Sequence, residues 1–142
     1  MVLADTGYWL ALANARDRWH RTAVSVTRQL DEHLVVTWPV VTETCHLLLS
    51  RLGVQAELRF IKQVSANVEI HELGQEHLGT IRVLMEKYAD LPMDLADASL
   101  VVAATELGEG RILSTDQRDF NTYRWKDVEP FHNLLRSATG TP

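Results

Sequence analysis

Short apolar runs alternate along this chain with longer stretches whose apolar residues recur every three or four positions. Met1 to Asp5, Leu34 to Thr37, Val68 to His71 and Arg111 to Ser114 are the runs, each of strand length. Between them, helical spacing predicts helices over Tyr8 to Ala15 and over Trp19 to His33, the second with Ala23, Val26 and Leu30 on one stripe. Pro39 opens a longer helix, because its missing N–H costs nothing in a first turn. Val40, Val41, Cys45, Leu48, Leu49 and Leu52 follow at helical intervals, and Gly53 stops it. Ala56 to Ser65 reads as a helix with Leu58, Ile61 and Val64 inward, and Gln75 to Tyr88 as another. After a break at Leu91-Pro92, an alanine-rich helix runs from Leu95 to Leu107 and ends before Gly108 and Gly110. Asp119 to Tyr123 is expected as a turn or short helix, and Asp127 to Pro130 as a short final strand. The polar segment from Asn133 to Pro142 is expected to fray.

Strands alternating with helices in this way predict an α/β domain with a mainly parallel sheet. Ligands in such sheets bind beyond the carboxyl ends of the strands. Asp5 closes the first strand and Asp116 follows the fourth, so both acids fall where chemistry is expected.

Composition narrows the class without changing this picture. The 142 residues fit one domain, and 46% hydrophobic with 23% charged residues is ordinary for a globular protein. The single cysteine, Cys45, cannot form an internal disulfide and reads as a core residue. The first twenty residues lack a basic leader and are interrupted by Asp5 and Asn14, so a soluble cytoplasmic protein is expected, with no membrane span. A net charge of −5 argues against a protein that simply coats nucleic acid. It leaves a nuclease open, because bound cations offset clustered carboxylates. Eleven of the fourteen basic residues are arginine, which suits phosphate contacts. Arg16, Arg18 and Arg21, or Arg118, Arg124 and Lys126, are candidate patches, although a solvated face explains each taken alone.

The carboxylates carry the chemical signal. Glu43 lies among Val40, Val41, Cys45 and Leu47, and Asp97 opens the most apolar helix. Acids are rarely buried unless paired or bound to metal. A helix N-terminus favours an acid by only about 0.3–1 kcal/mol, enough for one cap but not for several acids at one crevice. Shared Mg²⁺ or Mn²⁺ accounts for them, since hard cations prefer carboxylate oxygen. Such a site suits hydrolysis of a phosphodiester.

Four segments in order, Asp5-Thr6, Thr42-Glu43, Ala96-Asp97-Ala98 with Val101 to Ala104, and Ser114-Thr115-Asp116 with Phe120, resemble the motifs of the PIN-domain family. Length and order are similar to the VapC toxins of bacterial toxin–antitoxin pairs. The resemblance covers the chain up to about Tyr123; a PIN domain is expected over residues 1–132, with the polar residues 133–142 as a flexible tail. The resemblance implies a three-layer α/β/α sandwich, a five-stranded sheet of order 3-2-1-4-5, and an endoribonuclease dependent on Mg²⁺ or Mn²⁺. It implies a VapB-type antitoxin and a homodimer, for which the apolar positions of Gln75 to Tyr88 are available. Matched to the family, Asp5, Glu43, Asp97 and Asp116 are catalytic and metal-binding, with Asp94, Thr6 and Ser114 auxiliary.

Blander readings exist for each residue. Asp5 could end a strand in a turn, Glu43 could make a surface ion pair, Asp97 could be an N-cap, and Asp116 could be a loop residue. Asp94 is equally a cap or a ligand neighbour, and Asp119 a cap or turn residue. Thr6 and Ser114 could simply bond their own backbone. Trp9, Trp38 and Trp125 could stack RNA bases or serve as core or interface. His71 and His77 are expected to lack partners, and zinc is not expected, because Cys45-His46 has no accompanying ligand pattern. The rival functions are a PIN-like nuclease of RNA processing or DNA flap cleavage without a toxin role, and a non-catalytic PIN-fold binding module. A haloacid dehalogenase-type phosphatase is set aside, because position 7 is glycine where D-x-D is needed.

Overall fold

The computed structural model describes residues 1–135. Its centre is a parallel sheet of five strands, β1 (Val2–Ala4), β2 (Leu34–Val36), β3 (Val68–Ile70), β4 (Arg111–Leu113) and β7 (His132–Asn133), in the order β3-β2-β1-β4-β7. All four pairings are parallel. Val2, Leu3 and Ala4 are all fully buried, although successive side chains point to opposite faces, so both faces of the central strand are covered. That is the expected three-layer α/β/α arrangement and the expected strand order, with the seventh strand in the fifth place.

The helices are α1 (Thr6–Ala13), α2 (His20–Gln29), α3 (Trp38–Leu52), α4 (Val54–Asn67), α5 (Leu78–Lys87), α6 (Leu95–Leu107) and α7 (Gln117–Thr122). Gly53, at φ 97, makes the sharp joint between α3 and α4, a conformation that L side chains rarely adopt. Helix α6 is buried on all sides from Ala98 to Ala104, as its continuous apolar run requires.

Several expectations are corrected. In α4 the inward stripe is Ala56, Phe60 and Val64, whereas Leu58 and Ile61 are exposed; the interval of four, counted from Ala56, selects Phe60. Leu49 and Leu52 of α3 also face outward. The helix foreseen from Gln75 is a 3-10 turn, Gln75–His77, followed by α5. The segment Asp127 to Pro130 supplies only β6 (Glu129–Pro130), which pairs antiparallel with β5 (Arg124–Trp125) outside the main sheet. The main sheet is completed by β7, whose second residue, Asn133, opens the stretch expected to fray, and Leu135 within that stretch is fully buried. The rest of that expected tail, residues 136–142, lies outside the described residues. His71 and His77 do have partners: their Nε2 atoms lie 2.7 and 2.9 Å from the two carboxylate oxygens of Glu106. The Gly74 N–H donates to His77 Nδ1, so it is the Nε2–H of His77 that donates to Glu106.

Candidate active site

The register of the sheet builds the site. Ala4 of β1 stands opposite Leu113 of β4, so Asp5 and Ser114 leave the sheet side by side. The Asp5 N–H still donates to Leu113 O, which carries the ladder one residue further. The Ser114 hydroxyl donates to Asp5 Oδ2 at 2.9 Å, and the Thr6 N–H donates to Asp5 Oδ1 at 2.7 Å. Asp5 therefore caps α1 while lying buried at the centre of the sheet. The Asp116 N–H donates to Ser114 Oγ, so one hydroxyl links the first and last acids. Asn133 of β7 clamps Ser114 from the other side, donating to its carbonyl and accepting from its N–H.

Helix α6 brings the next acids. Asp94 is its N-cap and accepts from the Asp97 N–H, which places Asp97 in the first turn. The capping alternative therefore belongs to Asp94. Asp97 instead accepts the Tyr123 hydroxyl on Oδ2 at 2.8 Å. Asp116 caps α7 by accepting the Asp119 N–H, and Asp119 is itself buried beside it with Arg118 Nε on its carboxylate. Glu43 sits half-buried midway along α3. The start of that helix is bolted to α6 by Thr37 and Ser99, whose buried hydroxyls are 2.6 Å apart. Ser99 donates its own hydrogen to Ala96 O, so Thr37 is the donor between them.

The acids act on one another electrically. Burial, offset in part by its two hydrogen bonds and reinforced by Glu43 and Asp116, pushes Asp5 up to about 7. Burial and the charges of Asp5, Asp94 and Asp116 push Asp97 up to about 8. Burial and the neighbouring Asp119 push Asp116 up to about 6. Glu43 is raised by burial and by Asp94, against a lowering influence from Thr6. The Thr6 hydroxyl is buried and makes no close hydrogen bond, so its one evident use is toward the Glu43 carboxylate. Asp5, Glu43, Asp97 and Asp116 thus come together, with Asp94 at the rim and Thr6 and Ser114 among them. Among the described residues, no three of the acids close round a single point as a finished ion cage would. Oxygen donors, no thiolate, and charges that burial disfavours are the donor set of a hard divalent cation, and the residues fit Mg²⁺ or Mn²⁺.

A family profile, the PIN domain, matches residues 2–126. The chain belongs to the PIN-domain family. The chain is 29% identical over 124 residues to ribonuclease VapC26 of Mycobacterium tuberculosis, covering 87% of this chain and 92% of that protein. The fold is also that of VapC20 of Mycobacterium tuberculosis, described as a sarcin-ricin loop cleaving toxin. The TM-score is 0.80 at 21% identity, over 92% of this chain and all of that one.

Sequence reasoning passed over four contributors to this PIN domain's site. Tyr123, Asn133 and the Thr37–Ser99 pair act through contacts distant in sequence, for which periodicity holds no signal. Gly7 did leave one, a glycine straight after Asp5-Thr6: a Cβ there would lie 2.0 Å from Thr115 Oγ1 and 3.3 Å from Thr115 Cβ.

Proposed function

We propose that this protein is a divalent-metal-dependent endoribonuclease and the toxin of a VapBC-type pair, with Asp5, Glu43, Asp97 and Asp116 holding the ion. The observation that carries the reading is a set of carboxylates, from four separate stretches of chain, held close enough to raise one another's pKa at the carboxyl ends of the strands. Burial of such charges is costly unless a cation compensates them.

Bound Mg²⁺ or Mn²⁺ would supply an activated water and offset the charge that develops on the phosphate. The chain's own residues do the rest. Ser114 and the Thr6 N–H fix the Asp5 carboxylate in one orientation. Tyr123 fixes Asp97, and Asp94 holds the first turn of α6 in place beneath it. Asp116 is tied through Ser114 to the same central strand. Orientation of this kind, rather than any nucleophile from the protein, is what phosphodiester hydrolysis at a metal site requires.

RNA is the proposed substrate and a VapB-type antitoxin the proposed partner, by likeness to VapC26 and VapC20. A homodimer in the cytoplasm is the proposed working form; no helix among the described residues is long and apolar enough to cross a membrane. Purified protein should cut single-stranded RNA with Mg²⁺ or Mn²⁺ and stop with EDTA. Asp5→Asn and Asp97→Asn should each lower cleavage by about a hundredfold or more while circular dichroism stays native. Undiminished cleavage by either variant would remove the site assignment.

A further inference from the structure

The carboxylates provide for the phosphate of an RNA substrate and leave its bases without a place. A cavity of about 740 Å³ opens directly beside Glu43 and Asp94. That volume lies in the range of small-ligand pockets. Its walls are otherwise largely apolar, with Leu73, Leu78 and Leu95 among them and Trp38 at one side. Among the described residues lining it there is no lysine and no arginine. Two acids outnumber the single histidine, His46, and with no fixed cation this is a poor place for a phosphate. A flat, neutral, polarisable group suits it.

The four tryptophans of the chain are not equivalent. Trp9 and Trp19 are 2% and 8% exposed and belong to the core. Trp125 donates its ring N–H to Pro130 O, lies against Gly110 and carries Lys126 over its face. Trp38 is 51% exposed. Its backbone is nevertheless fixed: Thr37 before it is bonded to Ser99, Pro39 follows it, and its carbonyl accepts the Thr42 hydroxyl. A half-exposed indole on a backbone held by these bonds, five residues before Glu43, is a platform whose main chain is already placed for binding.

We propose that Trp38 stacks one base of the RNA beside the phosphate being cut, and that this cavity is the base's subsite. The inference rests on the nuclease reading for its substrate, and on the cavity and Trp38 for its chemistry. Aromatic stacking tolerates any base, so the platform contributes affinity rather than sequence choice.

The test uses the full chain and a labelled hexa-adenylate, with binding read by fluorescence anisotropy in Ca²⁺. Trp38→Ala should weaken binding on the order of tenfold, and Trp38→Phe, which keeps a ring, much less. A hexamer lacking bases should bind wild type and Trp38→Ala alike. In Mn²⁺, Trp38→Ala should raise KM more than it lowers kcat. Melting temperature and light scattering should match wild type. Equal hexa-adenylate affinity for wild type and Trp38→Ala, or no binding by either, overturns the proposal. So does a change of oligomeric state in Trp38→Ala with RNA affinity kept, which would assign the cavity to a second copy of the chain. Wild-type protein that binds the hexamer but cuts no RNA would count against the nuclease reading alone, since the anisotropy comparison still decides Trp38.

Discussion

At the scale of single residues, the site's acids weaken the fold they sit in. Asp97 titrates at about 8 in the folded protein and near 3.8 when exposed. A carboxyl with a raised folded value costs nothing below its unfolded value. Its penalty grows as pH climbs from about 4 to about 8 and is complete above that. Asp5 works in the same direction up to about 7. In EDTA at pH 8, Asp97→Asn should therefore be more stable than wild type, by about 2 kcal/mol or roughly 5 °C in Tm after allowance for partial exposure. At pH 4 the two should melt together. Mn²⁺ should raise the melting point of wild type more than that of the variant. Calorimetry showing Asp97→Asn less stable in EDTA at pH 8 would contradict this electrostatic account.

Tyr123 is the other informative residue. Its hydroxyl donates to Asp97, and partners of this kind typically matter 10–100-fold to metal affinity. Tyr123→Phe should raise the Mn²⁺ concentration for half-maximal cleavage by about tenfold, with little change in kcat at saturating metal. The acids themselves were legible in the sequence because a lone carboxylate in an apolar helix, such as Glu43, breaks a pattern. Tyr123 breaks none: it packs edge-on against Tyr88 and Phe120 as any core aromatic would, and only its ring tip reaches Asp97.

At the scale of elements, close approach matters more than propensity. Helix α1 begins directly after Asp5, and its second residue, Gly7, touches the loop that carries Asp116. Gly7→Ala should displace Thr115 and with it Asp116, lowering cleavage about tenfold. Gly7→Ala combined with Thr115→Ala removes the oxygen at 2.0 Å and should recover most of the loss. Failure of the pair to recover would mean that the glycine serves backbone freedom rather than space. Element type was read correctly for every long helix: burial on one stripe enforces a period in α2, α3, α4 and α5, and α6 shows instead as an unbroken apolar, alanine-rich run. Inward faces and ends were read less well. Leu58 and Ile61 are as hydrophobic as Phe60, and only packing against α3 and Trp9 decides which of them is covered. The two-residue strands β5, β6 and β7 are too short to display any period, and pairing partners alone define them.

At the scale of the whole molecule, the two ends of the sheet have separate tasks. The carboxyl ends carry the acids. At the amino ends, Arg111 binds Glu32, Glu109 and the Met1 carbonyl, joining β4 to the start of the chain. These groups are partly exposed, and ion pairs of that kind contribute little singly. Arg111→Ala should lower Tm by a few degrees and leave kcat and KM for RNA unchanged. A large fall in kcat would mean that the two ends are coupled. The strand order was legible only through family likeness, since nothing in a three-residue apolar run names its neighbour.

Because β1 occupies the middle of the sheet, the first acid waits for neighbours made much later. Asp5 needs β2 on one side and β4 on the other, and Ser114, which orients it, lies 109 residues away along the chain. A growing polypeptide that has not yet reached Ser114 holds three of the four acids but lacks the hydroxyl that aims the first and the last acid altogether. Synthesis itself thus delays the assembly of this acidic crevice until the chain has passed Asp116.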